Sequence, residues 1–375
     1  MTRRLLLVTN DFPPRQGGIQ TFLWELVRRL PADQVAVYAS DHPGAAAFDR
    51  ELPFPVRRHP TGLLVPSPAG RRRVLQARSD CGATSVWFGA AAPLGLLAGP
   101  LRTAGARRLV ATTHGHEVGW AMLPGARQAL RRIADQVDVL TYLGDYTRVR
   151  LARVLGERTR LERLTPGVDS DTFAPSVPGD GIRQRYDLTG RPVIVCVSRL
   201  VPRKGQDALI RALPAIRERV PGVALLLVGG GRYAGRLRQL AAEGGVADQV
   251  VLTGPVPFSE LPQHFAAGDV FAMPCRTRRF GMDVEGLGMV FLEASATGLP
   301  VVAGNSGGAP DAVRPDVTGE LVDGRDLAGI ADTLAGLLTD PDRASRLGKA
   351  GRQWVEQDWQ WDGIAARLAE LLELA

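Results

Sequence analysis

The chain has 375 residues, of which 45% are hydrophobic and 23% charged, and its formal net charge is +7. This length predicts two domains, and the composition excludes a disordered chain. The positive charge predicts an anionic partner: a nucleotide, a nucleic acid or an acidic membrane surface. The three cysteines are too scattered for a disulfide framework or a metal cluster, and they fit a reducing cytoplasm.

The first predicted element is a buried strand, LLLVTND, followed by FPPRQGGIQ and a helix that begins near Gln20. Gly17 and Gly18 stand at this strand-to-helix turn. Without side chains they allow a phosphate to approach the backbone N–H groups of the helix start. A tight turn that needs positive φ explains them equally well. The apolar residues 85–101 are interrupted by glycine and proline, which predicts a strand and a helix instead of a membrane span.

His114 and His116 follow the predicted strand RRLVATT, at the edge of the sheet where open α/β folds bind ligands. Two histidines separated by one residue would suggest a metal if a third ligand followed at helical spacing. Glu117 is adjacent to His116 and not one helical turn away, so no metal is predicted. Further on, Asp169 and Asp171 are interpreted as turn residues around Gly167 and not as metal ligands.

The second half begins with the strand RPVIVCVSRLV, which ends close to Arg199 and Lys204. This spacing places two cations over the ligand edge of a second sheet, where arginine offers a planar fork to phosphate oxygens and lysine a compact charge. Only Lys204 and Lys349 are lysine among the 46 basic residues, so a lysine in this loop is conspicuous.

A rival interpretation comes from Gly229, Gly231 and Ala234, which follow a strand and fit a dinucleotide fingerprint. That fingerprint expects an acidic residue at the end of the next strand, to hold a ribose hydroxyl. The next strand, VVLTGPV, ends without one. The oxidoreductase hypothesis therefore lacks its second requirement.

Gly281 to Asp311 is predicted to form a loop, a helix beginning near Gly288, a short buried strand and a glycine-rich turn. Glu285 lies ahead of this helix and Glu293 in its second turn. The free N–H groups and the positive end of the helix dipole therefore lie between two carboxylates, which suits a diphosphate or a polyol.

The two glutamates, the following TGLPVVAGNSGG and the later TGELVDG resemble the donor-site signature of the family 4 retaining glycosyltransferases, which have the GT-B fold. The resemblance implies an α/β protein with two Rossmann-like domains facing across a cleft. Residues 1–170 would bind the acceptor and residues 171–358 the nucleotide-sugar donor. The last helix, about residues 359–375, would pack back on the N-terminal domain.

The resemblance also assigns roles to single residues. It implies that Arg199 and Lys204 hold the diphosphate, that Glu285 holds sugar hydroxyls and that Glu293 holds the ribose. No metal is then required. The residues implied in catalysis are His114, Arg199, Lys204 and Glu285. The residues implied in donor binding are Gly18, Arg199, Lys204, Val256, Glu285, Gly288, Met289, Val290 and Glu293.

Four segments, TNDFPPRQGGIQ, THGHEVGW, SRLVPRKGQD and FGMDVEGLGMVFLEA, resemble more narrowly the bacterial mannosyltransferases that extend phosphatidylinositol mannosides with GDP-mannose. The resemblance implies addition of a second mannose through an α-1,6 linkage to a glycolipid acceptor, by a monomer or weak oligomer. Asp11, Gln20 and His116 are acceptor-binding candidates by position only.

Two arginine clusters follow apolar loops: Arg71 to Arg73 after LLVPSP, and Arg127, Arg131 and Arg132 after GWAMLPG. An apolar tip beside basic residues is typical of peripheral proteins that bind anionic lipid, although solvated helix faces are the alternative. With the resemblance, this pattern predicts a cytoplasmic protein bound peripherally to the inner face of the plasma membrane.

Three alternatives remain at the level of sequence. A family 4 transferase with another donor or a soluble acceptor has the same signature, and a sugar-nucleotide 2-epimerase shares the fold. A nucleic-acid binder is suggested by charge alone, because no recognition motif or basic strip with interleaved aromatic residues accompanies it.

Overall fold

The structure is a computed structural model that describes residues 4–156, 159–281 and 283–374. Met282, within the stretch that carries the two glutamates, lies outside the described residues. The chain divides into two compact units: Met1–Gly167 with Trp361–Ala375, here called the N-terminal unit, and Val168–Gln360, the C-terminal unit. The acceptor- and donor-binding roles expected of the two domains stay predictions.

In its described residues, the N-terminal unit contains a parallel sheet of seven strands in the order β3-β2-β1-β4-β5-β6-β7. The strands are β1 Leu5–Thr9, β2 Val35–Ser40, β3 Val56–His59, β4 Ser85–Phe88, β5 Arg108–Thr112, β6 Val139–Tyr142 and β7 Leu161–Arg163. The helices are α1 Gly18–Val27, α2 Ala45–Asp49, α3 Pro68–Cys81, α4 Ala98–Thr103, α5 Glu117–Met122, α6 Pro124–Gln136 and α7 Asp145–Ala152, with α15 Trp361–Leu372 from the end of the chain. Short 3-10 helices span Ala32–Gln34 and Leu94–Leu97.

The described residues of the C-terminal unit form a parallel sheet of six strands in the order β10-β9-β8-β11-β12-β13. The strands are β8 Val193–Val197, β9 Ala224–Val228, β10 Val250–Gly254, β11 Val270–Met273, β12 Val301–Gly304 and β13 Gly319–Val322. The helices are α8 Asp180–Arg185, α9 Gln206–Arg219, α10 Ala234–Glu243, α11 Leu261–Ala266, α12 Met289–Ala296, α13 Leu327–Thr339 and α14 Pro341–Asp358. Further 3-10 helices span Pro202–Lys204, Ala247–Gln249, Phe258–Glu260, Arg279–Gly281 and Ala309–Ala312.

Each sheet has one strand at which the strand order reverses. Strand β1 pairs in parallel with β2 on one side and β4 on the other, and β8 pairs in the same way with β9 and β11. In each sheet, the loop after the central strand and the loop after one of its neighbours run in opposite directions. A crevice opens between these two loops at the carboxyl ends of the strands. This switch point is where open α/β sheets bind ligands, and it determines where the predicted site residues must lie.

Apolar packing on the sheet faces fixes the elements that carry the site. Strand β1 is buried at every position, as its apolar sequence predicts for a strand covered on both faces. In the C-terminal unit Phe291 of α12 packs edge-on against Phe271 of β11, with ring centroids 5.9 Å apart. In the N-terminal unit Trp361 of α15 packs against Phe22 of α1 at 6.3 Å. None of the helices in the described part of the chain combines the length and hydropathy of a bilayer-spanning segment.

Candidate functional site

Two loops meet at the switch point of the C-terminal unit, one after β8 and one after β11. The first contains the 3-10 helix Pro202–Lys204 and ends at Gly205, which has a left-handed φ of 83°. Lys204 is only 8% exposed, and its Nζ lies 2.7 Å from Oε2 of Glu285 in the second loop. The structure therefore brings two of the predicted site residues into direct contact.

Arg203 and Asp283 complete this group, although neither was predicted from the sequence as a site residue. Arg203 Nη1 donates to Oε2 of Glu285 at 2.6 Å, and its Nε lies 3.2 Å from Oδ1 of Asp283. We call Arg203, Lys204, Asp283 and Glu285 the Glu285 cluster. Two signals in the sequence pointed to it: an Arg-Lys doublet, and two acidic residues separated by one position, which share a face of an extended segment.

The two cations of the Glu285 cluster determine the charge of its central carboxylate. Burial by itself would raise the pKa of Glu285, but the nearby charges and hydrogen bonds of Lys204 and Arg203 outweigh that effect. The pKa of this carboxyl therefore lies below its ordinary value. Glu285 is ionised at neutral pH and acts as a hydrogen-bond acceptor.

The glycine-rich turn after β12 supports the loop that carries Glu285. Gly307 has a φ of 59°, and a Cβ atom there would lie 2.0 Å from the carbonyl oxygen of Glu285. The N–H group of Gly308 donates to the same carbonyl oxygen at 2.9 Å. These two residues must be small because the backbone of the Glu285 loop lies directly against them.

Helix α12 begins after Gly288, which has a left-handed φ of 88°, and no side chain caps it. Its first N–H groups, those of Met289 and Val290, therefore lie at a helix N-terminus that begins four residues beyond Glu285, as the sequence predicts. Glu293 is 9% exposed, and its carboxyl group forms no ion pair within the described residues. Burial raises its pKa to about 7, although the charge of Lys204 acts in the opposite direction.

Arg199 lies on the same side of the sheet but differs from Lys204 in its surroundings. It is exposed and has no ion-pair partner among the residues that the structure describes. It lines an open depression of about 680 Å³ whose walls include Arg203, Arg232 and Asp283. The structure thus places Arg199 beside the Glu285 cluster without joining it to the carboxylate. Val256 follows β10, two strands from β8, and packs against the hydrophobic core of the unit.

The glycine run after β9, which suggested a dinucleotide fingerprint, serves close packing between loops. A Cβ atom at Gly229 would lie 2.2 Å from the carbonyl oxygen of Ser198, and one at Gly231 would lie 2.3 Å from that of Leu200. The N–H group of Leu200 donates to the carbonyl oxygen of Gly230 at 2.9 Å. The glycines therefore hold the loop that carries Arg199 against the end of β9.

In the N-terminal unit, Gly18 is the first residue of α1, which no side chain caps. The positive φ of 157° belongs to Gly17, whereas a Cβ atom at Gly18 would meet nothing within 4 Å. The tight-turn explanation therefore applies to Gly17, and neither backbone geometry nor packing requires glycine at position 18. Close by, Gln20 donates to Asp11 at 2.7 Å, so two of the acceptor candidates are in contact.

His114 and His116 follow β5 and differ in their surroundings. Nε2 of half-buried His114 lies 2.6 Å from the carbonyl oxygen of Gly89. Because a carbonyl oxygen can only accept a hydrogen bond, Nε2 carries the proton, and Nδ1 is free to accept one. Burial lowers the pKa of His114 to about 4, so its ring is neutral at physiological pH. His116 is exposed, and its Nε2 lies 3.2 Å from Oε1 of buried Glu117.

Acidic residues that resemble metal ligands in the sequence have other partners in the structure. Asp169 Oδ1 accepts hydrogen bonds from the N–H groups of Asp171 and Thr172, both at 3.0 Å, so the prediction of turn chemistry is confirmed. In the described part of the chain, no group of three or more His, Cys, Asp and Glu side chains is arranged to hold a metal ion.

Comparison with known proteins identifies the family. Residues 16–172 match the model of "Glycosyltransferase Family 4" and residues 180–354 match that of "Glycosyl transferases group 1". A "GDP-mannose-dependent alpha-(1-6)-phosphatidylinositol monomannoside mannosyltransferase" of Mycobacterium tuberculosis is 56% identical, over 98% of each chain. The chain belongs to the family 4 glycosyltransferases. A relative from Corynebacterium glutamicum, named for a monoacylated form of the same acceptor, is 45% identical over 99% of this glycosyltransferase and 98% of its own length.

Solved structures show that this glycosyltransferase has the GT-B fold predicted from its sequence. Anabaena Alr3699/HepE, solved in complex with UDP, superimposes with a TM-score of 0.83 at 19% identity, covering 99% of this glycosyltransferase and 100% of that chain. WaaG, a glycosyltransferase involved in lipopolysaccharide biosynthesis, superimposes with a TM-score of 0.68 at 18% identity, covering 98% and 99%. Family membership excludes the oxidoreductase and nucleic-acid-binding alternatives.

Proposed function

We propose that this glycosyltransferase moves mannose from GDP-mannose to a phosphatidylinositol monomannoside, through an α-1,6 linkage and with retention of the anomeric configuration. Relatives whose names contain this donor and acceptor match almost the whole chain. The structural observation that carries the proposal is the Lys204–Glu285 ion pair at the switch point, with Glu285 four residues ahead of the uncapped start of α12.

The leaving diphosphate is assigned to Arg199, Lys204 and the first N–H groups of α12. As the bond between the sugar and the phosphate breaks, positive charge develops on the sugar ring and negative charge on the β-phosphate. Cations and a helix N-terminus that the fold gathers at one edge of the sheet stabilise this charge. Arg199 is available because no carboxylate pairs with it in the described residues.

The two glutamates are assigned to the two sugars of the donor. Ionised Glu285 accepts hydrogen bonds from hydroxyl groups of the transferred mannose, and Glu293 accepts those of the ribose. The backbone at Val256 is assigned to the edge of the nucleobase. Carboxylates hold polyols through charge-assisted hydrogen bonds, which are stronger than neutral ones.

Residues of the N-terminal unit are assigned by their position and proton state. The open space beside Gly18 leaves room for a donor phosphate or sugar at the start of α1. Neutral His114 offers Nδ1 as an acceptor for a sugar hydroxyl. Asp11, Gln20 and His116 are assigned to the acceptor. Burial raises the pKa of Asp11, while the charges of Arg15 and His116 act to lower it.

Peripheral membrane binding is assigned to two apolar loops beside the arginine clusters. Leu63 and Val65 are 61% and 41% exposed ahead of Arg71 to Arg73. Met122 and Leu123 are 49% and 63% exposed ahead of the second cluster, in which Arg131 and Arg132 are exposed. Exposed apolar side chains insert between lipids while the arginines pair with anionic headgroups.

A transfer assay with radiolabelled GDP-mannose and membrane lipids, run with EDTA, tests the function. We expect a labelled glycolipid in the presence of EDTA. Lys204→Ala or Glu285→Ala should lower its formation by at least about 100-fold, as loss of one charge-stabilising group does in other enzymes. Lys349→Ala is the matched control, because it removes the chain's other lysine from an exposed position on α14.

Other outcomes would contradict the proposal. Stronger transfer from a different nucleotide sugar would reject GDP-mannose as donor. Conversion of the donor to a free epimer without any acceptor would reject transfer and indicate a 2-epimerase. Full turnover in both variants would reject the roles of Lys204 and Glu285.

A further inference from the structure

Arg203 lies next to Lys204 in the chain, and both side chains contact the same carboxylate oxygen, Oε2 of Glu285. Its Nη1 is 2.6 Å from Oε2 of Glu285, and Nζ of Lys204 is 2.7 Å from that atom. The side chains of Arg203 and Glu285 are 17% and 7% exposed. One nearly buried oxygen atom therefore accepts from two cations.

The proposed function gives Lys204 a second partner, because it assigns this ammonium group to the leaving diphosphate. A lysine ammonium is a compact charge on a flexible stem, so it can turn from a carboxylate to a phosphate. Once Lys204 turns away, Glu285 depends on the cation that remains. A buried carboxylate without a cation favours its protonated form and accepts hydrogen bonds poorly.

Arg203 is held in place by its neighbours, whereas Lys204 can move. Its Nε lies 3.2 Å from Oδ1 of Asp283, so the planar guanidinium spans two carboxylates. Its backbone carbonyl oxygen accepts from the N–H group of Arg276 at 2.9 Å. Arg276 in turn donates to both carboxylate oxygens of buried Asp207 at 2.6 and 2.8 Å. The planar fork lies between two carboxylates and its backbone is tied to a buried ion pair, so Arg203 has less freedom than the flexible stem of Lys204.

We propose that Arg203, held by Asp283, is the positioning residue that keeps Glu285 ionised and oriented while Lys204 engages the leaving diphosphate. This inference rests on the proposed function, which places Glu285 at the sugar and Lys204 at the phosphate. Arg203 acts through Glu285, so its loss impairs turnover more than donor binding.

Steady-state kinetics of Arg203→Gln, Arg203→Lys and Asp283→Asn test the proposal. We expect Arg203→Gln to lower kcat by about 100-fold, which is the effect of misplacing a reacting group by about 1 Å. The KM for donor should change little. The acid limb of its kcat–pH profile should move to higher pH, because a carboxylate that loses a cation protonates more readily. Arg203→Lys should restore the acid limb and part of kcat, and Asp283→Asn should cause a smaller loss.

Arg219→Gln is the matched control, because Arg219 forms an exposed ion pair with Asp332 in the same unit. Cys275 also lies near Glu285, but burial raises its pKa to about 12, so it stays a neutral thiol across the profile. A raised KM for donor with unchanged kcat in Arg203→Gln would overturn the proposal, because Arg203 would then bind the donor directly. The profiles are compared in a Glu293→Gln background, because Glu293 also senses Lys204 and its pKa of about 7 would shape the acid limb. In that background, a lower kcat with an unmoved acid limb would also overturn the proposal.

A second readout does not depend on turnover. In protein labelled with ¹³C at glutamate carboxyl groups, NMR follows the titration of Glu285 in the presence of GDP. We expect a higher pKa in Arg203→Gln than in the wild type, and equal values would reject the positioning role. If the wild type transfers no mannose, the proposed function fails, and this titration still decides whether Arg203 controls the charge of Glu285.

Discussion

Glu285 and Glu293 stand eight residues apart, yet their carboxyl groups have opposite pKa shifts. Both are buried, and burial acts to raise the pKa of each. Glu285 has two cations within 2.7 Å, which lower its pKa below the ordinary value. Glu293 senses only the more distant charge of Lys204, and its pKa rises to about 7. The number of nearby cations therefore decides that Glu285 is ionised throughout the neutral range, whereas Glu293 titrates within it.

The raised pKa of Glu293 predicts a pH-dependent affinity for GDP. Above about pH 7 its carboxylate accepts ribose hydroxyls, and below that pH the proton removes this acceptor. We expect binding, measured by calorimetry, to weaken by up to about tenfold between about pH 8 and about pH 6. Glu293→Gln should bind GDP more weakly and lose that part of the dependence. Protonation of GDP itself affects the wild type and Glu293→Gln equally, so a difference between them reports on Glu293. The same pH dependence in both proteins would contradict the assignment.

At the scale of elements, the loop that carries Glu285 depends on the turn after β12. The left-handed φ of 59° at Gly307 and the hydrogen bond from Gly308 to Glu285 hold two loops at backbone contact. Two loops from neighbouring strands thus form one support for the site. A side chain in this turn has no space, because it would meet the carbonyl oxygen of Glu285.

Gly307→Ala tests this support. The new methyl group would have to push the Glu285 loop away while adopting a φ that alanine disfavours. We expect unfolding free energy to fall by about 2 kcal/mol in chemical denaturation, and transfer activity to fall with it. Gly235→Ala is the control, because a Cβ atom there, in the first turn of α10, meets nothing within 4 Å. Equal activity in Gly307→Ala and the wild type would show that the turn does not position Glu285.

At the scale of the whole molecule, charge and exposed apolar side chains occur together in the N-terminal unit. Met122 ends α5 and Leu123 follows it, and both precede the arginines of α6. Leu63 and Val65 precede the arginines of α3. In the proposed membrane binding, the net charge of +7 would attract anionic lipid over about a Debye length, and the apolar tips would add attraction that salt does not screen.

The double variant Met122→Ser, Leu123→Ser tests membrane binding. We expect its affinity for vesicles of phosphatidylcholine with phosphatidylinositol to fall by about tenfold in cosedimentation, because two exposed apolar groups no longer insert. Val317→Ser removes a similarly exposed side chain, 52% exposed, from the C-terminal unit and should bind like the wild type. Equal loss in both variants would argue against this loop as a membrane contact.

Local patterns along the chain are sufficient to predict the two α/β sheets and most of the site loops. Apolar runs such as LLLVT predict fully buried parallel strands, and glycines at their ends predict the turns that follow. Because parallel strands direct their carboxyl ends to one edge, the sequence also placed Arg199, Lys204 and Glu285 at the same edge of the C-terminal sheet. These patterns are local, and they can be recognised without knowing which side chains contact one another in the folded chain.

The pairing of side chains and their proton states follow from the folded chain and could not be predicted from local patterns. Arg203 and Glu285 are 82 residues apart, and their contact at 2.6 Å depends on β8 lying next to β11. The tautomer of His114 depends on a carbonyl oxygen 25 residues away, at Gly89, and its neutral state depends on burial by the folded chain. Ion pairing and burial depend on how close residues lie in space when they are far apart in the chain. Periodicity and spacing along the sequence do not give these spatial distances.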